Sequence, residues 1–478
     1  MREICQEAVD AALAAGAEYA DARAVMEREQ EVSTKNGRVE TLDDRESEGI
    51  GVRVLVDGAW GFACSSRLDE AGARDAAARA TGFARAAPTR NGRRLAPVQP
   101  VSGSYATHVN QDPFAVSLAD KIDLCLRAES AARHPGVKVT SAAARALEQR
   151  KHLVTSVGTD VEHLLVECGA GVDALAAGDG LFQQRSYPNA FGGSSAQAGW
   201  EYVESLRLPD MAPRLGEEAA ALLQADVCPA GVTTLVIDAE QTALQVHESV
   251  GHPTELDRIY GTEAAYAGTS FLSPGDLGSL RYGSELMNVT ADSTTDRGLG
   301  TFGWDDEGVP AVREPIVAGG VLSGFLTSRE TAAQIGSGAG GSMRAETWNR
   351  MPLVRMTNLH LEPGDGGTLE DILADVDDGV FVSTNRSWSI DDKRLNFQFG
   401  TQIAWEIKRG KLGRMLRDAV YTGITPQFWG SLDAVGSPET WVLYGLTNCG
   451  KGQPGQSAHV SHGAPVSRFR NVQVGVRP

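Results

Sequence analysis

The chain has 478 residues, with 44 Lys and Arg against 62 Asp and Glu, six cysteines and a net charge of −18. That length gives room for two domains with separate cores, and 42% hydrophobic with 22% charged residues excludes a disordered chain. The acidic balance, without a strongly basic run, argues against direct nucleic-acid binding, and no apolar stretch reaches the roughly 20 residues that cross a bilayer, so no membrane association is expected. The start, MREICQEAVDAALAAGAEYADAR, is too charged for a secretory leader. A cytoplasmic protein is expected, its scattered cysteines remaining thiols for want of any CxxC pair or dense framework.

Residues 3–15 predict a short Ala-rich helix. Alternation follows, and Asn36-Gly37 and Asp57-Gly58 predict hairpin turns in a small antiparallel sheet over 20–65. Helices are predicted over 67–86 and 116–133. Between them, 88–104 reads as a connector containing Pro88, Pro97, Pro100 and Gly103, with Arg90, Arg93 and Arg94 on a solvated face. Strand-like runs at 136–142, 151–157 and 160–167, then a helical stretch at 213–226, lead to Cys228-Pro229-Ala230-Gly231, the predicted domain boundary. Beyond it strands and turns dominate. Short helical pieces fall near 328–335 and 368–376, and hairpins are predicted at Gly319-Gly320 and Arg409-Gly410. The expected fold is α+β: an N-terminal α/β domain over 1–228, then a mostly antiparallel, barrel-like β domain over 232–478 that carries one special helix.

That helix follows a buried-strand pattern at 232–237. Asp238 is a predicted N-cap with Gln241 at N3, a capping-box arrangement, so a helix should begin at Ala239. Ala243, Val246, His247 and Val250 fall at i, i+3, i+4 and i+7 and face the interior, with Glu248 about 100° further round. His252 completes H-E-S-V-G-H. The familiar zinc-peptidase signature is HExxH, two histidines four apart on one helix face and a glutamate acting on water at the metal. Here the spacing is five. In an ideal α-helix that amounts to about 500°, leaving the imidazoles roughly 140° apart and unable to grip one ion. Either the helix takes in an extra residue, as a π-bulge does, or the histidines are unrelated and His247 is a core residue near a helix end. Gly251 permits such a distortion, and Pro253 disfavours the α region at His252 and is expected to end the helix there.

Two histidines need a third protein ligand to make a zinc site. Five cysteines sit in helix, strand or boundary patterns and read as packing residues. Cys449 lies in TNCGKGQP at 447–454, read as a glycine-rich loop in which Lys451 and a bound zinc would favour the thiolate. His459 and His462, in SAHVSHGAP, offer rival readings as ligands, as bases for a cysteine nucleophile, or as loop histidines.

HESVGHPTELD at 247–257 and NCGKGQP at 448–454 resemble the TldD/PmbA metallopeptidase family, in its TldD-type catalytic subunit. WDDEGVP at 304–310, RMTNLHLEPGD at 355–365 and HGAP at 462–465 are similar to family landmarks in the same order, so the resemblance covers 232–478. AAGAEYADAR and GIGVRVLVDGAWGFA extend it more weakly into the N-terminal part. The resemblance implies a Zn2+ site made by His247, His252 and Cys449 with Glu248 as general base, and a chain that hydrolyses short unfolded peptides. It also implies a homodimer, or a heterodimer with a TldE/PmbA-like subunit, in which the N-terminal domain helps enclose a chamber. Glu255 and Asp257 match acidic positions of the motif, as supports for the metal ligands or as capping groups of the next segment. A shell with one thiolate donates a formal negative charge to the metal, so a modest rate is expected. The sheet edges around the helix offer an extended peptide strand addition.

The run 336–341, GSGAGG, satisfies GxGxxG but follows the helix-like ETAAQI instead of a strand, so it reads as a lid or surface loop and not a dinucleotide site. Three functional classes follow: a zinc peptidase, a hydrolase using Cys449 as nucleophile with His459 or His462 as base, and a non-catalytic regulatory or binding subunit with a structural metal.

Overall fold

A computed structural model describes residues 1–87, 93–266, 268–338 and 340–475. Pro88 and Arg90 of the predicted connector, and Ala339 of the glycine-rich run, lie outside the described residues. The first hairpins form as expected. Strands Tyr19–Lys35, Arg38–Val56 and Ala59–Ser65 are joined by Asn36-Gly37 and Asp57-Gly58, all four residues at positive φ as tight hairpin turns between twisted strands require. The sheet grows outward from this meander in the order 59–65, 38–56, 19–35, 137–155, 160–178, 102–106.

Two predicted runs prove to be one strand. Val137–Thr155 pairs without interruption from Asp21↔Thr155 to Lys35↔Ser141, and Asp160–Gly178 lies along its other side. The Ala-rich middle of the first strand favours helix on its own, but ladders on both edges and burial of Ala142, Ala144 and Ala146 override that preference. Part of the predicted connector is also strand: Ser102–Ala106 runs parallel to 160–164. Helices Arg2–Ala14, Glu70–Ala86, Leu118–Ala131 and Leu208–Leu222 pack on this sheet over two alanine-rich cores. The last of them starts before the predicted 213 and stops before 226, because Asp226–Val227 leaves to pair in parallel with Lys411–Arg417 of the C-terminal half.

In the C-terminal half, five strands close on themselves. Asp378–Ile390, Gly231–Ile237, Ser467–Val474, Val420–Ile424 and Asn396–Lys408 pair in that order, and the last returns to the first. Closure removes the exposed edges that an open sheet would leave. Beside this barrel stands a six-stranded sheet whose last two members are Gln456–Ala464 and, at the edge, Val442–Lys451. The largest hydrophobic core lies in this half, and the helix after Ile237 is buried in it. No helix among the described residues is long and apolar enough to cross a membrane.

Candidate metal centre

The centre begins where the barrel strand Gly231–Ile237 ends. Asp238 Oδ1 accepts the Gln241 amide at 2.8 Å and so caps the helix Ala239–Val246. Only that half of the predicted capping box forms. The Gln241 side chain instead donates to Tyr421 Oη at 2.8 Å and accepts from Asn385, while the Asp238 amide belongs to the barrel through Val382 O.

After Val246 the helix widens. Residues His247–Gly251 form a π-turn in which the His252 amide donates to His247 O, five residues back. This absorbs the residue that an α-helix could not, and the two imidazoles come together with ring centres 4.9 Å apart. Gly251 meets a packing demand as well, since a Cβ there would lie 2.0 Å from Met356 Sδ. The chain does not stop at His252 as predicted from Pro253. His252 keeps helical angles (φ −58°, ψ −41°) and leads a 3₁₀ turn to Thr254, whose hydroxyl donates to Val250 O at 2.8 Å and bonds Gly251 O at 2.9 Å.

Cys449 reaches the same point from the edge strand. The predicted glycine-rich loop is instead the end of Val442–Lys451, where Cys449 faces Ala458 across the ladder after a bulge at 446–449. The ligand atoms of His247, His252 and Cys449 all lie within 4.8 Å of one another, and all three residues are buried. Cys449 Sγ is 3.9 Å from His252 Nε2. Tetrahedral zinc with Zn–N near 2.0 Å and Zn–S near 2.3 Å places such atoms roughly 3.5 Å apart, so the donor set and its spacing fit a small thiophilic ion.

Outer contacts fix how the donors point. Leu359 O can only accept, so His462 Nδ1–H donates to it (3.2 Å), which leaves His462 Nε2 as the acceptor of His247 Nδ1–H at 2.7 Å. His247 is thereby left with a lone pair on Nε2. On the other ring, Glu255 Oε2 accepts from His252 Nδ1 at 3.1 Å, freeing His252 Nε2. Glu255 is itself held by Lys451 Nζ at 3.3 Å and Arg258 Nε at 3.3 Å, and Lys451 also binds Asp257 at 2.8 Å. Burial acts to raise the Glu255 carboxyl, but Lys451, His252 and Arg258 outweigh it and hold it well below the usual range. Burial lowers both His247 and His252, favouring the neutral rings that ligate metals. For Cys449, burial is opposed by Arg355 and then His252, and the thiol falls below its ordinary value.

Two expectations change here. The cation that favours the Cys449 thiolate is Arg355, whose Nη2 donates to Cys449 O, whereas Lys451 is spent on Glu255 and Asp257. Neither downstream histidine is hydrogen-bonded to the thiol: His462 serves His247, and His459, on a strand and not in a loop, pairs with Glu167 at 2.5 Å. Glu248, beside His247, is buried and receives Arg394 Nη1 at 2.5 Å. Sequence reasoning passed over Arg394 and gave Arg355 no role beyond opening the RMTNLHLEPGD run, because they lie 146 and 94 residues from their partners.

Family models described as PmbA/TldA metallopeptidase domain 1, central domain and C-terminal domain match residues 20–83, 111–226 and 230–476. A Methanothermobacter thermautotrophicus protein named metalloprotease is 31% identical over 461 residues, covering 96% of this chain and 95% of that protein. A Saccharolobus solfataricus protein named zinc metalloprotease TldD homolog is 24% identical over 247 residues, 52% of each chain. In fold, the crystal structure of TldE from Thermococcus kodakarensis is similar with a TM-score of 0.75 at 15% identity, over 99% of this chain and 100% of that one.

Proposed function

We propose that this chain, which belongs to the PmbA/TldD metallopeptidase family, is a zinc-dependent peptidase that hydrolyses short unfolded peptides in the cytoplasm. His247, His252 and Cys449 hold the ion, and Glu248 is the general base. Zinc held there supplies Lewis-acid polarisation of the scissile carbonyl and acidifies water. Glu248 takes the proton of the attacking water and returns it to the leaving amine, while Arg394 keeps its carboxylate from swinging away. The observation that carries this reading is the convergence of three deprotonatable donors on one buried point, with the glutamate adjacent in sequence to the first.

Strand Val442–Lys451 supports the mode of substrate binding. It is the last strand of its sheet; Ser194–Ala196 covers its outer edge at Gly445, so an extended peptide would add beyond that point, towards Cys449. Residues 1–228 then enclose the substrate and residues 232–478 carry the centre, in a dimer with a second copy or a TldE/PmbA-like chain. The test is Glu248→Gln. Zinc content is expected to stay at the wild-type level while peptide hydrolysis falls by about 10²- to 10⁴-fold. Undiminished hydrolysis would overturn the assignment.

A further inference from the structure

Most buried and half-buried arginines among the described residues face a counter-charge. Arg23 meets Asp306, Arg53 meets Asp21 and Glu307, Arg185 meets Glu218, and Arg394 meets Glu248. Arg329 lies over the Tyr19 ring and Arg355 beside Cys449. Arg145 and Arg344 are different, and both line one cavity of about 420 Å³ between the N-terminal sheet and the C-terminal half. Arg145 donates to Thr447 Oγ1 at 2.7 Å and Gly192 O at 3.1 Å. Arg344 donates to the carbonyls of Met356, His459 and Leu299 at 2.7, 2.8 and 3.4 Å, and its Nε is buried without a hydrogen bond. Neither forms an ion pair among the described residues.

The carboxylates in the wall are engaged elsewhere. Glu29 pairs with Arg45, Glu167 with His459 and Glu346 with Arg350, while Glu27 accepts from Gln149 and Thr347 and Asp305 accepts backbone amides; Lys151 is paired with Asp306. Burial, and then the neighbouring Arg355, push Arg344 down to about 10 against the opposing pull of Glu167 and Asp306. Two guanidinium groups whose hydrogen bonds go to neutral acceptors, in a space large enough for a ligand, call for an anion from outside, and the planar fork of arginine suits a carboxylate.

We propose that Arg145 and Arg344 form a subsite for the terminal carboxylate of a bound peptide. The proposal rests on the peptidase reading above. The cavity adjoins the strand pair that carries Cys449, since Ala458 in its wall faces Cys449 across the ladder. Leu147, Leu299, Phe302 and Trp304 give it apolar surface for side chains. Along the strand that bears Arg145, the wall runs past Gln149 to Lys151, six residues or about 20 Å away. That span holds about six extended residues and so favours short peptides.

Binding is measured on the full chain carrying Glu248→Gln, so that hydrolysis does not enter. Three N-acetylated oligoalanines are compared: the free acid, its terminal amide, and an amide bearing one glutamate side chain. The free acid should bind about 10-fold or more tightly than either amide, and the preference should vanish in Arg145→Gln and Arg344→Gln. Should Arg344→Gln fail to fold, Arg145→Gln decides, since it loses only the bonds to Thr447 and Gly192. Equal binding of acid and amide overturns the proposal, and so does a glutamyl amide that binds as tightly as the free acid. A chain that prefers the acid while its unsubstituted form hydrolyses no peptide leaves the subsite standing and defeats the peptidase reading instead.

Discussion

Two buried clusters of charged and polar groups lie in this protein, and they end differently. Between the halves, Asp306 is held by Lys151 at 2.6 Å and Arg23 at 3.4 Å, while Arg53 joins Asp21 at 2.7 Å to Glu307 at 3.1 Å. Charge there cancels within the protein, three cations against three carboxylates, although Lys151 also reaches the wall of the neighbouring cavity. Around His247 and His252 the outer layer is closed just as carefully, by His462, Glu255, Lys451 and Arg355. Its inner layer is not: two imidazole lone pairs and an acidified thiol converge on one point and face one another, joined there by the long 3.9 Å contact of Cys449 Sγ with His252 Nε2. A closed cluster orients two halves, whereas an open one is built for a ligand.

The largest expected effect separates the two clusters outright. Cys449→Ala should empty the metal site and abolish hydrolysis with it, while the folded chain keeps its inter-half contacts; metal analysis alongside circular dichroism reads both. A Cys449→Ala chain that still holds zinc at the wild-type level would break the comparison. Next comes Asp306→Asn, which leaves Arg23 and Lys151 buried without their anion and should cost about 3–5 kcal/mol of stability in a denaturant titration, with metal content unchanged. Its pH dependence has a definite sign. Burial opposes ionisation of Asp306, but Lys151 and Arg23 outweigh it and hold its carboxyl far below the usual range. The stabilisation is therefore complete above the unfolded value of about 3.9 and is lost as pH falls towards the folded one, so wild type and Asp306→Asn should converge in acid. A gap that persists unchanged at low pH would remove Asp306 from the account. The smallest effect is His462→Phe, which keeps a ring but removes the acceptor for His247. Metal affinity, measured by competition with a chelator, should weaken by about 10- to 100-fold, and an unchanged affinity would show that His462 does not orient the ligand.

Much of the centre was legible because its key residues are local. The five-residue spacing in HESVGH, with Gly251 inside it, forced a choice between a widened helix and unrelated histidines, and the π-turn over 247–251 resolves it. The hairpins at 36–37, 57–58 and 409–410 were legible for the same reason, since their turn residues sit side by side. What escaped was decided at a distance. TNCGKGQP carries loop chemistry, yet pairing with Gln456–Ala464 makes its first half a strand. Val137–Thr155 hides behind alanines whose strand state comes from neighbours on both sides. His462 lies 215 residues from His247, and Arg394 lies 146 from Glu248, so no spacing rule reaches either pair.

The most direct test of the central claim is the metal content of the freshly purified full chain, determined by elemental analysis with no metal added. About one zinc per chain is predicted, lost in His252→Ala and Cys449→Ala and retained in Glu248→Gln. A content near zero that added zinc does not restore would contradict the assignment of His247, His252 and Cys449 as a metal centre.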